Sequence, residues 1–597
     1  MKKIILIFGL LLMHCGFISA QYVVKSQDEL AQLKKLPLEK VYVHFNASVL
    51  FPGEYVYYSL YCINAQTNRL SNISSMAYIK LVGEDLTTQL VQKVRLEGGR
   101  GQGDFFIPVS IPSGNYKLIG YTQWMKNAGQ EQLFKDDIAI INPYRSDQEA
   151  VLATVVDSTM TSNPIIKENP QIQTAIKKKD DGTIVLMTDK KHYGQREKVA
   201  LVPRNFKGPL GYGNYSISVR KLDSLSSDSP LDASDFSSAY LGVDKSIDKS
   251  VNDSIFLPEQ RGELFFGKVF LKEGNFPAVD KTVVISIPGT DFQIRSAITD
   301  KDGNFYTYVR KEYSAEAILA QIVDDTPANY KVEFSKVRSL DYTGLDFVNF
   351  TISAEDKNAI VKRSVYNQIE NGFYSVKPDS ILSINLKDPF DGGVPEVFKL
   401  DDYTRFNTLR ETLVEIVANV WVKKLPNGKY TFWVKEDNES YDDSYAGDPP
   451  LVLVDGVFIP NHDDLLDFNA RTVEKMSILR DPLVMGSKNY HGMVAIETSN
   501  GDFLATEQAK TIAKQPLTLP APKKNYFVQR YDETNGEFDR IPDFRYQLFW
   551  EPGVTIQGEE MAYEFYTSDI PGEYEIVLEG FTTYGKPISI RGSFVVE

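Results

Sequence analysis

Between Lys40 and Trp124 the sequence alternates short β-type runs with tight-turn residues, and this pattern limits the possible folds more than any other feature of the chain. The runs include VYVHFNA, YVYYSLYCIN, MAYIKLVG, DFFIPVSI and NYKLIGYTQW, and the turns include FPGE, GGRGQG and SGN. Alternating apolar and polar residues in such runs form strands, and Gly, Pro and Asn at the junctions form turns. Roughly six or seven strands at this spacing predict a β-sandwich of about 100 residues.

The pattern returns further along the chain, so the sequence predicts a mainly β protein of tandem, immunoglobulin-like β-sandwich domains with one small α+β domain. A chain of 597 residues exceeds what one hydrophobic core organises, and several domains of about 100 to 150 residues are expected. The predicted divisions are a signal peptide (1–20), a first sandwich (35–145), a linker (146–180), a second β-domain with a long loop (181–260), a third sandwich (261–350), a helical segment with the α+β domain (351–502), a linker (503–525) and a C-terminal β-domain (526–597).

The N-terminus, MKKIILIFGLLLMHCGFISAQ, has two lysines, an apolar run and a small-residue ending, which predicts a secretory signal cleaved before Gln21. Export to the periplasm or cell surface is therefore expected. Lipidation at Cys15 is the alternative, but His14 precedes that cysteine where a small residue is required. Cleavage leaves Cys62 alone, so no intramolecular disulfide is predicted. No other apolar stretch reaches the roughly 18 to 20 residues of a membrane helix.

The overall charge of the chain argues against one class of partner, the nucleic acids. The formal net charge is −15, and such an acidic surface repels phosphate backbones, which argues against a nucleic-acid partner. Aromatic residues make up 12% of the chain, a proportion that fits strands rich in aromatic and β-branched residues.

Three segments resemble known β-domains. The sequence EKVYVHFNASVLFPGEYVYYSLYCINA with GRGQGDFFIPVSIPSGNYKLIGYTQWM resembles the MG2 domain of α2-macroglobulin-like proteins, and the C-terminal FRYQLFWEPGVTIQGEEMAYEFYTSDIPGEYEIVLEGF is similar to a later macroglobulin-type domain. Segment 181–260 repeats the opening of the first module, with DKKHYGQRE in place of NASVLFPGE, and is predicted to be a second macroglobulin-like domain. GKVFL and TDKDGNF within 261–350 resemble the carboxypeptidase regulatory-like or transthyretin-like sandwich.

A fourth resemblance suggests a cellular context. LVLVDGVFIPN with VEKMSILRDPLVMGSKNYHGMVAIET resembles the plug domain of TonB-dependent outer-membrane receptors. The barrel of such a receptor needs at least about 220 further residues, and fewer than about 100 follow here. The resemblance therefore implies a plug-like domain without a barrel, in a Gram-negative outer-membrane or cell-surface setting. Its loops are expected to be exposed and to dock a partner, and the candidate residues are Asp455, Gly456, Phe458, Pro460, Tyr490 and Gly492.

No pattern in the sequence indicates catalysis, a cofactor or a metal. Cys62 is followed by Ile63 and not by the GEQ of the macroglobulin thioester. TDKDGN at 299–304 favours a turn over a calcium loop because the later ligands of an EF-hand are missing. The carboxylates within 436–443 favour a solvated loop, and the four histidines that remain after signal cleavage are isolated from one another. Nucleophile-elbow and phosphate-loop motifs are also missing.

The sequence thus predicts a non-enzymatic scaffold or accessory subunit that docks to outer-membrane transport or protein-assembly machinery. The set Tyr55, Tyr57, Tyr58 and Tyr61 includes outward-facing positions, and exposed tyrosines favour protein interfaces. One alternative is a surface glycan- or nutrient-binding protein, which requires exposed Trp and Tyr platforms. The four tryptophans favour core positions instead. The other alternative is a thioester-less macroglobulin-like protein that interacts with proteases through an exposed segment at 224–252 or 157–179. The sequence does not indicate a particular small-molecule ligand.

Overall fold

The structure is a computed structural model, and it describes residues 22–152, 182–225, 230–242, 247–324, 326–382, 388–435, 448–486, 488–506, 512–532, 538–558 and 561–597. The predicted signal peptide, Cys15, segment 157–179 and the acidic run at 436–443 lie outside the described residues. The chain divides into two compact units. The sandwich unit comprises Val23–Gln260, Leu340–Ser383 and Pro520–Glu597, and the inserted unit comprises Arg261–Ser339 and Ile384–Leu519 together with Tyr22.

Strands dominate the first part of the chain. It contains β1 (Tyr22–Val23), α1 (Gln27–Lys35), β2 (Glu39–Phe45), β3 (Val49–Leu50), β4 (Tyr55–Asn64), β5 (Met76–Gly83), β6 (Thr88–Arg95), β7 (Arg100–Phe106), β8 (Gly114–Tyr121) and β9 (Phe134–Ile140). The next stretch contains β10 (Ile184–Thr188), β11 (His192–Tyr193), β12 (Lys198–Asn205), β13 (Gly213–Lys221), α2 (Ala233–Phe236) and β14 (Ser254–Ile255).

The middle of the chain contains β15 (Glu263–Leu271), β16 (Thr282–Ile287), β17 (Gln293–Ile298), β18 (Asn304–Val309), β19 (Ala317–Val323), β20 (Tyr330–Phe334), α3 (Lys357–Gly372) and β21 (Ser380–Ile381). It continues with β22 (Glu396–Lys399), α4 (Leu409–Glu415), β23 (Val420–Lys424), β24 (Tyr430–Val434), β25 (Leu451–Val454), β26 (Val457–Phe458), β27 (Val473–Met485), β28 (Lys488–Thr498) and β29 (Ala513–Pro516). The last stretch contains β30 (Lys524–Asn525), β31 (Gln547–Ile556), β32 (Tyr563–Tyr566), β33 (Gly572–Thr582) and β34 (Pro587–Val596).

The first sandwich is formed by consecutive strands. One sheet has the order β2-β4-β7 and the other has the order β3-β9-β8-β5-β6, with β3 and β9 parallel. Apolar side chains from the two sheets fill the space between them, among them Val41, Leu60, Ile79 and Leu118. The predicted mainly β, tandem-sandwich fold class is thereby confirmed.

The second sandwich is assembled from two distant parts of the chain. One sheet has the order β10-β12-β32 and the other β11-β34-β33-β13-β31. Segments 181–260 and 526–597 were predicted as separate domains, and the structure corrects this, because β13 pairs along its length with both β31 and β33. Strands β10 to β13 alone are half a sandwich, and their unpaired edges need the C-terminal strands as partners.

The two sandwiches share one topology. Substituting β10 to β13 and β31 to β34, in chain order, for β2 to β9 converts the sheet orders of the first sandwich into those of the second. In the first sandwich a tight turn joins β5 to β6, whereas residues 222–546 lie between β13 and β31 in the second. The sequence prediction that 181–260 repeats the opening of the first module agrees with this topology.

Two local devices recur at equivalent places. Tyr116 and Tyr574, near the starts of β8 and β33, each donate a hydroxyl hydrogen bond to the carbonyl four residues earlier, at 2.7 and 2.8 Å. Such tyrosine corners fix the entry of a strand into a sandwich. The turns before β4 and β12 also match, because a glutamate carboxylate accepts the backbone N–H three residues earlier in both, from Phe51 to Glu54 and from Gly194 to Glu197.

The inserted unit has its own sheets. Its sandwich consists of β18-β15-β20 and β17-β16-β19-β29, and a five-stranded sheet, β22-β27-β28-β25-β26, lies with the hairpin β23–β24 in the segment 351–502. The predicted linker at 503–525 is therefore wrong in part, because β29 extends the sheet of β19, and β30 pairs with β21 within the sandwich unit. These short strands carry too little apolar alternation to be recognised.

Helix α3 was predicted within the plug-like segment 351–502, but it belongs to the sandwich unit. The sequence places Val361, Val365, Ile369 and Phe373 four residues apart, which predicts an apolar face for this helix. That face is not the buried one, because Val361 and Val365 are 52% and 46% exposed, whereas Arg363 and Ser364 are buried. A buried cation on the opposite side outweighs the weak apolar stripe, since an uncompensated charge in the interior is costly.

Arg363 is held by a network of ion pairs. Its guanidinium donates to both carboxylate oxygens of Glu54 at 2.9 and 2.7 Å, to Asp223 at 3.1 Å and to the carbonyl of Val49 at 2.8 Å. Burial favours a neutral carboxyl, but Arg363 and Arg220 together hold the pKa of Glu54 below its usual value. The network fixes α3 to the turn before β4.

The long loop predicted within 181–260 is not a free loop where it is described. Ala233 and Phe236 of α2 and the following Leu241 are buried in the core of the first sandwich. The Phe236 ring lies 5.1 Å from the Tyr42 ring. Segment 230–242 therefore contributes to the core. Among the described helices, none is both long and apolar enough to cross a membrane.

Candidate functional site

The predicted docking loops are mostly closed by the chain itself. Asp455 is buried, and its carboxylate accepts hydrogen bonds from the backbone N–H and hydroxyl of Thr498, both at 2.7 Å, and from the N–H of Phe503 at 3.0 Å. Gly456 has a φ of +78°, and a Cβ at this position would lie 2.6 Å from the Cβ of Phe292. The expected exposure of this turn is therefore wrong, because the turn packs against the other part of the inserted unit.

Of the remaining docking candidates, three are buried and one is exposed. Phe458 and Tyr490 are buried with their rings 6.4 Å apart. Gly492 is buried, and a Cβ there would lie 2.6 Å from the carbonyl oxygen of Leu479. Pro460 is exposed. A sequence pattern shows where a turn occurs, but it does not show what covers that turn.

The residues considered in the sequence analysis as a calcium loop, a thioester cysteine or metal ligands have structural roles or are not placed to bind a metal. The turn at 299–304 is confirmed: Asp300 Oδ1 accepts the backbone N–H groups of Asp302 and Asn304, both at 2.9 Å, and Gly303 has a φ of +75°. Cys62 is buried, and burial raises the pKa of its thiol. Within the described ranges, no group of three or more His, Cys, Asp or Glu is placed to hold a metal ion.

An open cleft in the sandwich unit is a better candidate, and we name it the aromatic cleft. It is bordered by β4, α3, β31 and the stretches that precede β21 and follow β30, and it encloses about 990 Å³ including its open mouth. Its aromatic lining consists of Tyr55, Tyr57, Tyr374, Tyr526, Phe527, Phe544, Tyr546, Phe549 and Trp550. Ligand sites in proteins are typically concave and lined mostly by hydrophobic and aromatic side chains, with a few polar groups among them.

Four of these rings form a ladder. The ring centroids of Tyr374 and Tyr55 are 6.2 Å apart with planes 14° from parallel, those of Tyr55 and Tyr57 are 5.7 Å and 19° apart, and those of Tyr57 and Trp550 are 6.1 Å and 27° apart. Tyr55 and Tyr57 lie on one face of β4 because alternate residues of a strand point the same way. Tyr374, which is 46% exposed, is the most open rung.

Near the ladder, Lys524 forms ion pairs with Asp104 and Asp379. Lys524 Nζ donates to Asp104 at 3.0 Å and lies 3.6 Å from Asp379, and Tyr526 donates its hydroxyl to Asp104 at 3.3 Å. Burial raises the pKa of Asp104, and Lys524 opposes this shift. Burial likewise raises the pKa of Tyr57, and the two carboxylates add to the effect. The phenol of Tyr57 is therefore a neutral donor at physiological pH.

The other charged groups that line the aromatic cleft also have partners. Lys377 pairs with Glu370 at 2.7 Å, and Arg545 forms a two-pronged pair with Asp543 at 2.6 and 2.7 Å. Arg220 lies 3.5 Å from Glu54 of the α3 network. The walls therefore present aromatic rings and amides with their ionic charges already balanced.

Trp550 differs from the other wall residues in its hydrogen bonding. It is 4% exposed, and its indole Nε1 is buried with no hydrogen-bond partner among the described residues. Buried donors are nearly always satisfied, so an unpaired one needs an explanation. The sequence favours a core position for Trp550, and the structure places it in the core and on the wall of the cleft at once.

The aromatic ladder is not a requirement of the fold. The equivalent turns before β4 and β12 align Tyr55 with Lys198 and Tyr57 with Ala200. Strand pairing supports this alignment. Tyr55 pairs with Phe106, the last residue of β7, and Lys198 pairs with Tyr566, the last residue of the equivalent strand β32. The topology of the sandwich therefore does not itself require tyrosine at these two positions.

Part of this site is identifiable from the sequence. Tyr55 and Tyr57 are among the predicted outward positions, and both line the cleft, whereas Tyr58 and Tyr61 are fully buried in the first sandwich. Tyr374 and Tyr526 were missed because each belongs to a short irregular segment far from β4 in sequence. The only local signal was the tyrosine itself in a polar stretch.

Comparison with known proteins adds fold-level similarities only. No family model matches the chain, and no curated protein matches it. Over 94% of its length the chain is similar to Escherichia coli alpha-2-macroglobulin activated by porcine elastase, with 9% identity, a TM-score of 0.23 and 44% of that chain covered. Salmonella alpha-2-macroglobulin reacted with methylamine is similar over 97% of this chain and 40% of its own, with 9% identity and a TM-score of 0.22.

An adhesin gives a weaker similarity. The Yersinia pseudotuberculosis adhesin InvE is similar over 51% of this chain and 61% of its own, with 7% identity and a TM-score of 0.13. The chain spans less than half the length of the macroglobulins that it matches. Scores of this size do not assign the chain to a family, so the function has to be argued from its own geometry.

Proposed function

We propose that this chain is a non-enzymatic binding protein, exported to the outer membrane or cell surface, and that the aromatic cleft is its binding site. The observation that carries the proposal is the difference between the two sandwiches: the cleft positions Tyr55 and Tyr57 are Lys198 and Ala200 in the second copy of the fold. Rings that the shared topology does not require and that line an open cleft are available for a ligand.

We propose a non-enzymatic protein because its most nucleophile-like pair of side chains is not accessible to a substrate. The pair in the sandwich unit that most resembles a nucleophile and its base is Ser216 and His44, whose Oγ and Nδ1 atoms are 2.6 Å apart. Both side chains are buried, and burial lowers the pKa of His44 to about 3. A general base must take a proton near neutral pH and reach a substrate, and His44 is suited to neither task.

Export and outer-membrane association are supported by the leader-like N-terminal sequence and by the resemblances of its modules. Fractionation of the native organism tests this part of the proposal. We expect the protein in the outer-membrane or extracellular fraction, and recovery with cytoplasmic markers would contradict it.

Retention on cell-envelope material tests the cleft. The full chain is incubated with washed Gram-negative envelopes, sedimented and quantified in parallel with Tyr374→Ala and a control, Tyr403→Ala. Tyr374 and Tyr403 are 46% and 44% exposed, and only Tyr374 lines the cleft. We expect weaker retention for Tyr374→Ala alone. Equal retention of all three proteins would refute the cleft as the binding site.

A second candidate function is the accessory subunit of an outer-membrane transport or assembly complex. The exposed Val361 and Val365 on α3 favour it, because apolar side chains four residues apart on a helix form a surface that a partner can cover. Gentle detergent extraction followed by mass spectrometry tests it. Stoichiometric barrel proteins that disappear with Val361→Ser/Val365→Ser would support this candidate, and a protein that emerges alone would refute it.

A further inference from the structure

We propose that the ligand of the aromatic cleft is an uncharged sugar chain that lies along the rings of Tyr374, Tyr55 and Tyr57. This inference rests on the proposed function, since it presumes that the cleft is a binding site. It adds the chemical class of the ligand.

The charge balance of the walls indicates a neutral ligand. The ionised lining groups have partners in the wall: Glu370 pairs with Lys377, Arg545 pairs with Asp543, and Asp379 lies 3.6 Å from Lys524, which it shares with the nearer Asp104. An anionic or cationic ligand would have to displace one of these partners and leave a partly buried charge uncompensated. A ligand that brings hydroxyls and C–H groups meets no such cost.

The ring ladder supplies the apolar half of sugar recognition. A pyranose has a C–H face and a hydroxyl rim, so it requires aromatic surface beside hydrogen-bonding groups. Tyr374, Tyr55 and Tyr57 repeat at 6.2 and 5.7 Å, and Asn367, Asn371 and Gln547 also line the cleft. Rings in series suit an extended chain better than a single small molecule.

The unpaired indole of Trp550 supplies a specific polar contact. Its Nε1–H is a donor with no acceptor among the described residues, in a side chain that lines the cleft. An oxygen-rich neutral chain matches an unpaired donor, whereas a hydrocarbon ligand does not.

Affinity electrophoresis of the full chain tests the class. The gels contain dextran, laminarin, xyloglucan or galactomannan as neutral polymers, polygalacturonate as an anionic polymer, or polyproline as an extended peptide. We expect at least one neutral polymer to retard the wild-type protein. Tyr55→Ala/Tyr374→Ala should bind it about tenfold more weakly, the ratio that corresponds to a loss of about 0.7 kcal/mol for each of the two rings. Tyr403→Ala should migrate like the wild type.

The outcomes separate this inference from the proposed function. Retardation only by polygalacturonate or polyproline, abolished in the double variant, would overturn the sugar class and leave the cleft as a binding site. No retardation by any neutral polymer, together with cleft-dependent retention on envelopes, would have the same meaning. If a neutral polymer retards the wild type and the double variant to the same extent, both proposals are overturned. Tyr374→Ala alone, at an exposed position, provides the comparison if the double variant fails to fold.

Discussion

In the first sandwich the turn from Phe51 to Glu54 leads into Tyr55 and Tyr57, whereas in the second sandwich the equivalent turn leads into Lys198 and Ala200. The strand order, the tyrosine corner and the glutamate-capped turn are common to both. What the two copies share is therefore what the fold requires. The aromatic ladder and the ion pairs around α3 have no counterpart at the aligned positions of the second copy, so the shared strand order does not require them, and the role of each is a separate question.

The largest expected difference between the copies concerns the glutamate of the shared turn. Glu54 pairs with the buried Arg363, and Glu197 pairs with the exposed Lys190. Arg363→Met should cost about 3 to 5 kcal/mol of unfolding free energy, because it leaves Glu54 buried without its main partner. Lys190→Met should be indistinguishable from the wild type in urea unfolding. Equal effects of the two substitutions would show that the α3 network does not distinguish the copies.

A pH-dependent difference comes next in size. Glu579 in β33 is buried, and burial raises its pKa to about 7 although Ser589 and the N–H of Ala233 donate to it at 2.6 and 2.9 Å. Aligning the tyrosine corners places Tyr121 at this position in the first sandwich. The raised pKa means that the folded state holds a proton that the unfolded state releases above its ordinary value of about 4.5.

The contribution of Glu579 to stability is therefore complete at low pH and is lost as the pH rises through about 7. Between pH 5 and pH 8 the unfolding free energy of the wild type should fall by about 2 to 3 kcal/mol more than that of Glu579→Gln. Urea unfolding of both proteins at the two pH values measures this difference. Identical pH profiles would show that Glu579 titrates normally.

The tyrosine corners should behave alike. Tyr116→Phe and Tyr574→Phe each remove one hydroxyl that bonds to a backbone carbonyl, and each should cost about 1 kcal/mol. Tyr574 also bonds to Ser568 at 2.8 Å, so its substitution should cost somewhat more. A corner that can be removed without any loss of unfolding free energy would mean that the two sandwiches are not stabilised in the same way.

The smallest stability effect belongs to the proposed binding surface. Tyr374→Ala should change the unfolding free energy by less than about 0.5 kcal/mol, because exposed side chains contribute little to stability. Thermal unfolding beside Tyr403→Ala checks this expectation. A large loss of stability would show that the ladder serves the fold, and the contrast between the two sandwiches would then lose its functional meaning.

Much of the fold could be predicted from the sequence, because strands and turns are local. The runs around FPGE and SGNYKLIGY indicate the strands of the first sandwich, and DKKHYGQRE shows that its opening is repeated. The pairing of β13 with β31 and β33 could not be predicted, since hydrogen bonding between strands leaves no trace in the spacing of either segment. Two domains were predicted for this reason where one split sandwich exists.

The candidate site was less predictable than the fold. Asp455 and Gly456 are a pair typical of an exposed turn. In the structure Thr498, Phe503 and Phe292, which are distant in sequence, cover this turn. Tyr55 and Tyr57 were identifiable as outward positions of a strand. Their neighbours in the cleft come from α3 and from β31, and only the three-dimensional structure brings these together.

The most direct test of the binding site places a photo-crosslinking amino acid in the cleft. Benzoylphenylalanine replaces Tyr374 in one full-length protein and Tyr403 in another, and both are irradiated on Gram-negative envelopes. The proposal predicts a ligand adduct at position 374 that is carbohydrate by periodate staining, with none at position 403. No adduct at 374, or equal adducts at both positions, would contradict the assignment of the aromatic cleft as the binding site.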